Sequence, residues 1–254
     1  MSYQYIQSEL KDGVATIILN RQPVNVLNIA MMEEINEVLT NLQKENVNLL
    51  VFKAAGKAFS AGVEVAEHMG GLAEKMIEVF HGMFRGMDKL AVPSIAVVNG
   101  VALGGGCELA IYCDMAISSD KAKFGQPEIK VGVFPSIATL IMPRVMGRKK
   151  AMEMLLSGET FGAEEAMTLG LINKVVPHDR LEAEAEKFIG KFTGNSGIVS
   201  KWTKAAALAG IQDAQAQVLT TIEDIYMNKL MKTHDAQEGL QAFVDKKTPV
   251  WKNC

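Results

Sequence analysis

From Ile6 to Val176, short apolar runs alternate with stretches whose apolar residues recur at helical spacing, and after Val176-Pro177 the alternation stops. A chain that feeds strand and helix in turn must build a sheet with helices packed on it, so the expected fold class is α/β. The opening is a hairpin: Ile6, Ser8 and Leu10 alternate with polar neighbours, Asp12-Gly13 marks a tight turn, and Val14 to Leu19 reads as a buried partner strand. Ile35, Val38, Leu39 and Leu42 follow at helical spacing, then Leu49 to Phe52 as a short strand. The rhythm continues with a helix over 72–87, a strand over 94–98 ending in Asn99-Gly100, a helix near 106–113 and a strand over 115–118. Beyond Pro177, residues 181–192, 199–208, 213–231 and 235–244 carry helical patterns with no strand between them. This organisation predicts a core domain over residues 1–190 and a helical extension over 191–254.

Composition limits the partners. The 254 residues are 48% hydrophobic and 22% charged, with a net charge of only −3, enough to bury a sizeable core but without the basic field that nucleic acid or an anionic membrane requires. Any anionic ligand must then be met by local Lys or Arg. The three cysteines, Cys107, Cys113 and Cys254, form no CxxC pair, which favours a reduced, cytoplasmic chain. The first ten residues lack the basic start and apolar run of a secretory signal, and no apolar stretch reaches membrane-spanning length. His68, His81, His178 and His234 are scattered, so neither a metal nor a bound cofactor is expected.

Three segments could carry chemistry. In Asn99-Gly-Val-Ala-Leu-Gly-Gly-Gly-Cys-Glu108, three consecutive glycines lead from a strand into a helix. Such glycines let the backbone approach a ligand and aim N–H groups at negative charge, although a packing turn with close helix contact would need the same residues. The run lacks the spacing of a dinucleotide fingerprint and the Gly-Lys-Ser/Thr ending of a phosphate loop. Lys57-Ala-Phe-Ser-Ala-Gly-Val63 places small residues where another strand ends, either as a ligand-facing turn or as a plain loop. In Lys123-Phe-Gly-Gln-Pro-Glu128, a carboxylate is followed by Ile129, Val131, Val133 and Phe134. Apolar surroundings would raise its pKa into a useful acid–base range, whereas a solvated loop glutamate would keep its ordinary value.

Taken in this order, Phe59-Ser-Ala-Gly-Val63, the Asn99 to Glu108 run, Asp114 and Phe124-Gly-Gln-Pro-Glu128 resemble the crotonase superfamily, and within it the enoyl-CoA hydratases. The resemblance runs from Leu19-Asn20-Arg21 to Gly239–Lys246. It implies a spiral of ββα turns with a C-terminal helical trimerisation region, assembled as a homotrimer or as a dimer of trimers. It further implies an acyl-CoA thioester substrate, with coenzyme A as part of the substrate. The oxyanion hole would be the backbone N–H groups of Val63 and Gly105, and Glu108 and Glu128 would be the two acid–base carboxylates. Coenzyme A contacts would fall at Val24, Lys57, Ala61, Phe243 and Lys246.

The sequence also departs from that pattern. Many enoyl-CoA hydratases carry Pro-Gly-x-Gly-Gly-Thr after the second glutamate, but here Pro135-Ser-Ile-Ala-Thr139 replaces glycine with bulk. Val63-Glu64-Val65 stands where Ala-Asp-Ile/Leu is usual. These details, with Phe80-His-Gly82, Gly132-Val-Phe134 and His234–Gly239, are similar to cyclohexa-1,5-diene-1-carbonyl-CoA hydratases of anaerobic aromatic degradation. His68, His81 and Phe134 would then shape a pocket for a flat ring. The rival readings are a short-chain enoyl-CoA hydratase, an enoyl-CoA isomerase, which can manage with one carboxylate, and a catalytically silent acyl-CoA-binding protein.

Overall fold

The computed structural model describes residues 3–252, with the backbone alone for 209–216. Its first sheet has six strands: β1 (Ile6–Lys11), β2 (Val14–Leu19), β3 (Leu49–Ala54), β5 (Ser94–Val98), β7 (Met115–Ser119) and β10 (Lys174–Val176), in that spatial order. Only the β1–β2 pair is antiparallel; the others run parallel. The hairpin turn has Asp12 and Gly13 at φ of +52° and +77°, the left-handed pair that a two-residue hairpin demands. Of β1 only Ile6 is buried, so its alternation of apolar and polar residues marks an edge strand and no second core face. The central strands are buried on both faces, as parallel strands under helices should be. Leu50, Phe52, Ala96 and Val98 point into the main core, whereas Leu49, Val51, Ile95 and Val97 face a smaller cluster closed by Leu181, Ala185 and Phe188.

A second sheet takes the strands β4 (Ala58–Ser60), β6 (Val101–Leu103), β8 (Lys123–Gly125) and β9 (Thr160–Gly162). Each of the first three follows a long strand of the first sheet after a sharp turn, and helices fill the return path. These are α1 (Ile29–Leu42), α2 (Ala73–Leu90) and α3 (Gly105–Tyr112). The repeated unit is therefore a long strand, a short strand and a helix, wound as a spiral. Because β4, β6 and β8 are parallel, with Ser60 opposite Ala102 and Leu103 opposite Gly125, their C-terminal ends deliver three loops side by side. Those loops begin at Ala61, Gly104 and Gln126.

Residues 136–168, which periodicity left without elements, hold α4 (Ser136–Val145), α5 (Arg148–Ser157) and α6 (Ala163–Thr168). Pro143 lies inside α4, near its C-terminal end, where proline is a poor helix signal but removes only one ladder bond. The helical extension comprises α7 (Leu181–Thr193), α8 (Gly197–Asp224) and α9 (His234–Val244), so residue 190 falls within α7. The two helical patterns at 199–208 and 213–231 belong to one 28-residue helix that continues through a π-turn at Ile225–Lys229. No proline interrupts it, and Gly210 is carried within its backbone. Thr233 caps α9 by accepting from the Ala236 N–H at 3.1 Å. Among the described residues, no helix is long and apolar enough to cross a membrane. Cys254 lies outside them.

Candidate active site

The three loops meet over a cavity of about 390 Å³. Its walls are mostly apolar, with Val65, Met76, Ile77, Phe80, Val133 and Leu240 among them, and Glu108, Glu128, His68 and Ser136 supply convergent polar groups. Two glutamates twenty positions apart thus face one cavity.

Glu108 sits in the first turn of α3 and is 2% exposed. Its Oε1 accepts from the Ile137 N–H at 2.6 Å and the Ala138 N–H at 2.9 Å, two of the donors that the start of α4 leaves unpaired. These bonds favour the ionised form, but burial outweighs them and lifts the carboxyl to about 7. Glu128 comes from a single 3-10 turn, Pro127–Val131. Its side chain turns inward, and Oε2 is buried with no hydrogen-bond partner among the described residues. Burial, reinforced by the nearby charge of Glu108, holds this carboxyl well above the ordinary range. Two N–H donors stabilise charge on Glu108 and none is recorded for Glu128 Oε2, so a proton shared by the pair favours Glu128.

The glycine run serves both packing and the cavity. Gly104 has φ +49° and ψ −130°, a conformation that L side chains avoid, and a Cβ there would come within 2.6 Å of Glu128 Oε1. A Cβ on Gly106 would strike the Ser60 carbonyl oxygen at 2.5 Å, so that glycine lets α3 rest on β4. Gly105 opens α3, where its N–H has no carbonyl four residues back within the helix. Facing it, Val63 forms a parallel bridge with Leu27, in which the Leu27 N–H donates to Gly62 O at 2.8 Å and the Glu64 N–H donates to Leu27 O at 2.9 Å. That pattern leaves the Val63 N–H directed to the opposite side of its segment. The Gly105 backbone lies close to the Val63 side chain, whose Cγ2 would be 2.6 Å from an added Cβ.

Glu64 and Glu67 hold this loop in place. Glu64 pairs with Arg21 at 3.4 Å, Arg21 also donates to Val26 O, and Glu67 Oε2 accepts from the Ile29 N–H at 2.7 Å at the start of α1. His68 Nδ1 lies 3.2 Å from Glu64 O. Sequence reasoning missed these roles, because the partners lie about forty positions away.

The structure gathers part of the expected set. Ala61, Val63, Gly105, Glu108, Glu128, His68, Phe134 and Phe243 all line the cavity. Val24, Lys57 and Lys246 lie outside it; Val24 meets the site through its carbonyl, which accepts from the Ala61 N–H at 2.9 Å, and Lys57 and Lys246 are exposed. His81 requires a correction as a wall of the pocket. It is fully buried behind the cavity, with its ring nitrogens 2.6 Å from Ser136 Oγ and 2.7 Å from Glu223 Oε1, so it reaches the lining only through Ser136. Ser136, Tyr226 and Leu240 line the cavity without having been singled out in the sequence. Tyr226 packs edge-on against Phe134 at 5.1 Å, from a helix more than ninety positions away. Cys107 and Cys113 are buried, with thiols pushed up by burial, and are not nucleophiles. Among the described residues, no cluster of metal-binding side chains occurs.

The comparisons with known proteins agree with this geometry. The family model described as Enoyl-CoA hydratase/isomerase matches residues 9–254, and the chain belongs to that family. It is 37% identical to a Dictyostelium discoideum protein named "Probable enoyl-CoA hydratase, mitochondrial", across 97% of this chain and 90% of that one. It is 33% identical to the crotonyl-CoA hydratase of Syntrophomonas wolfei, across 97% of each. Among solved structures, an enoyl-CoA hydratase from Mycobacterium avium subsp. paratuberculosis superposes with a TM-score of 0.89 at 28% identity, covering 99% of this chain and 100% of that one.

Proposed function

We propose that the protein is a hydro-lyase that adds water across a conjugated acyl-CoA thioester, with cyclohexa-1,5-diene-1-carbonyl-CoA as the preferred substrate. The observation that carries the hydration is the pair Glu108 and Glu128, two carboxyls of raised pKa facing one apolar cavity. An unsaturated thioester resists water until the charge arriving on its carbonyl oxygen is stabilised. The N–H groups of Val63 and Gly105 supply that stabilisation. Glu108, ionised near neutral pH, takes a proton from water as its oxygen attacks the β carbon. Glu128, protonated, gives its proton to the enolate, at the α carbon of a simple enoyl group or the γ carbon of a cyclic diene.

The cyclic preference is supported by the sequence similarity noted above and by the aromatic wall of Phe134, Tyr226 and Phe80. Val24, Lys57, Ala61, Phe243 and Lys246 would hold the coenzyme A portion. The core domain of residues 1–190 would carry the chemistry. The helices of 191–254 would assemble trimers or hexamers in the cytoplasm, through surfaces such as the exposed Ile198, Val199 and Trp202 of α8.

The test is turnover of the purified protein on cyclohexa-1,5-diene-1-carbonyl-CoA and on crotonyl-CoA. Faster hydration of the cyclic diene is expected; faster hydration of crotonyl-CoA would remove the cyclic assignment and leave a short-chain hydratase. An isomerase would instead shift the double bond without incorporating oxygen, and a silent binder would turn over neither thioester.

A further inference from the structure

Behind the cavity a polar chain that the two glutamates do not use runs from the surface at Arg85 to the buried His81 and Ser136. Arg85 pairs with Glu223 Oε1, the same oxygen lies 2.7 Å from His81 Nδ1, and His81 Nε2 lies 2.6 Å from Ser136 Oγ. His81 is fully buried and Ser136 is 3% exposed, yet Ser136 lines the acyl cavity. Proton placement along the chain follows from charge. Glu223, held below the ordinary carboxylate range chiefly by its bond to His81, is an anion and can only accept, so Nδ1 carries the hydrogen. Burial disfavours the imidazolium, which leaves Nε2 as an acceptor. Ser136 must then donate its only hydrogen backward to His81. Its two oxygen lone pairs stay free, and the hydroxyl cannot rotate to become a donor without breaking the chain.

We propose that Ser136 is a specificity-determining residue whose Oγ, fixed as a pure acceptor by His81 and Glu223, binds the hydrogen of the oxygen that adds to the acyl chain. That oxygen belongs to water before addition and to the product hydroxyl afterwards. The position suits the task, because Ser136 immediately precedes the Ile137 and Ala138 N–H groups that hold Glu108, the carboxylate assigned to that same water. Beside the two glutamates, a fixed acceptor in a mostly apolar wall favours acyl groups bearing a hydroxyl over their unsubstituted counterparts. This assignment rests on the hydration reading for the identity of the oxygen, but not for the hydrogen-bond polarity.

The experiment compares binding of two thioester pairs, 3-hydroxybutyryl-CoA with butyryl-CoA and hydroxycyclohexenecarbonyl-CoA with cyclohexenecarbonyl-CoA, to the native protein, S136A and S136T. For whichever pair the native protein binds, S136A should weaken the hydroxylated member roughly tenfold, about the worth of one hydrogen bond, and leave the other unchanged. S136T, which keeps the hydroxyl, should restore the difference. Equal weakening of both members would make Ser136 only a structural anchor of α4 and overturn the proposal, as would no change in either or binding of neither pair. Release of free coenzyme A by the native protein but not by S136A would make Ser136 a nucleophile and overturn it too. If the native protein hydrates no enoyl thioester while the tenfold discrimination persists, the hydration reading fails and the acceptor stands.

Discussion

Gly104 occupies the position from which a Cβ would reach within 2.6 Å of the Glu128 carboxylate. Its backbone also lies in a region closed to L side chains, so the Glu128 loop and the start of α3 approach each other only because residue 104 has no side chain. Gly104→Ala should lower kcat by at least about 100-fold by displacing Glu128, with a stability loss of about 1–3 kcal/mol. Steady-state kinetics alongside thermal unfolding check this; an Ala variant with native kcat would mean that the Glu128 position is unimportant.

Glu108→Gln and Glu128→Gln each preserve shape while removing the capacity to exchange a proton. Either change should reduce hydration by about 100- to 10,000-fold while leaving the Kd for a saturated acyl-CoA within about threefold. Calorimetric titration and a hydration assay on the same preparations separate the two effects. Retention of turnover in one of the variants would favour isomerase chemistry.

The pH dependence follows from the direction of the shifts. Glu108 must be ionised to accept a proton, so kcat/KM should fall about tenfold per unit below about pH 7 and level off above it, until Glu128 loses its proton. Stability runs the other way. Between its ordinary value of 4.5 and about 7, the native Glu108 binds more protons than the unfolded chain does, so its contribution is present below pH 4.5 and is lost as pH rises through 7. The loss is about 3 kcal/mol for a fully buried group. Urea midpoints at pH 5 and pH 8 should differ less in Glu108→Gln than in the native protein; an unchanged difference would exclude Glu108 as its source.

How far such a site can be read without coordinates depends on the range of the forces that build it. The glycine run and Glu128 stood out because each carries its constraint locally, in a strained turn or an apolar neighbourhood, but a packing or loop reading stayed open for both, and the pairing of Glu108 with Glu128 came from the family resemblance. The hairpin and the parallel strands were legible for the same reason, through Asp12-Gly13 and the continuous apolar runs of β3 and β5. The short strands of the second sheet were not, since three residues show no periodicity. His81 was read as part of the pocket wall, but its partner Glu223 comes from α8, 142 positions away, and no local pattern could place it behind Ser136.

Glu67 lies outside the cavity, yet its Oε2 accepts from the Ile29 N–H at the start of α1 and so ties the segment that carries Val63 to the spiral. Glu67→Ala should cost about 1 kcal/mol, lowering the unfolding midpoint by a few degrees, with a larger effect on kcat than on acyl-CoA affinity. Differential scanning calorimetry and kinetics of the single variant provide the check. A native midpoint would show that this cap contributes nothing.

The loop carrying Glu128 leans on α9, where the carbonyl of Asp235 would meet a Cβ on Gly132 at 2.8 Å and the carbonyl of Val131 would meet one on Gly239 at 2.7 Å. Leu240 and Phe243 of the same helix line the cavity. A nascent chain emerging from the ribosome can wind its spiral turns early, but the wall of its cavity stays unfinished until α9 has been translated.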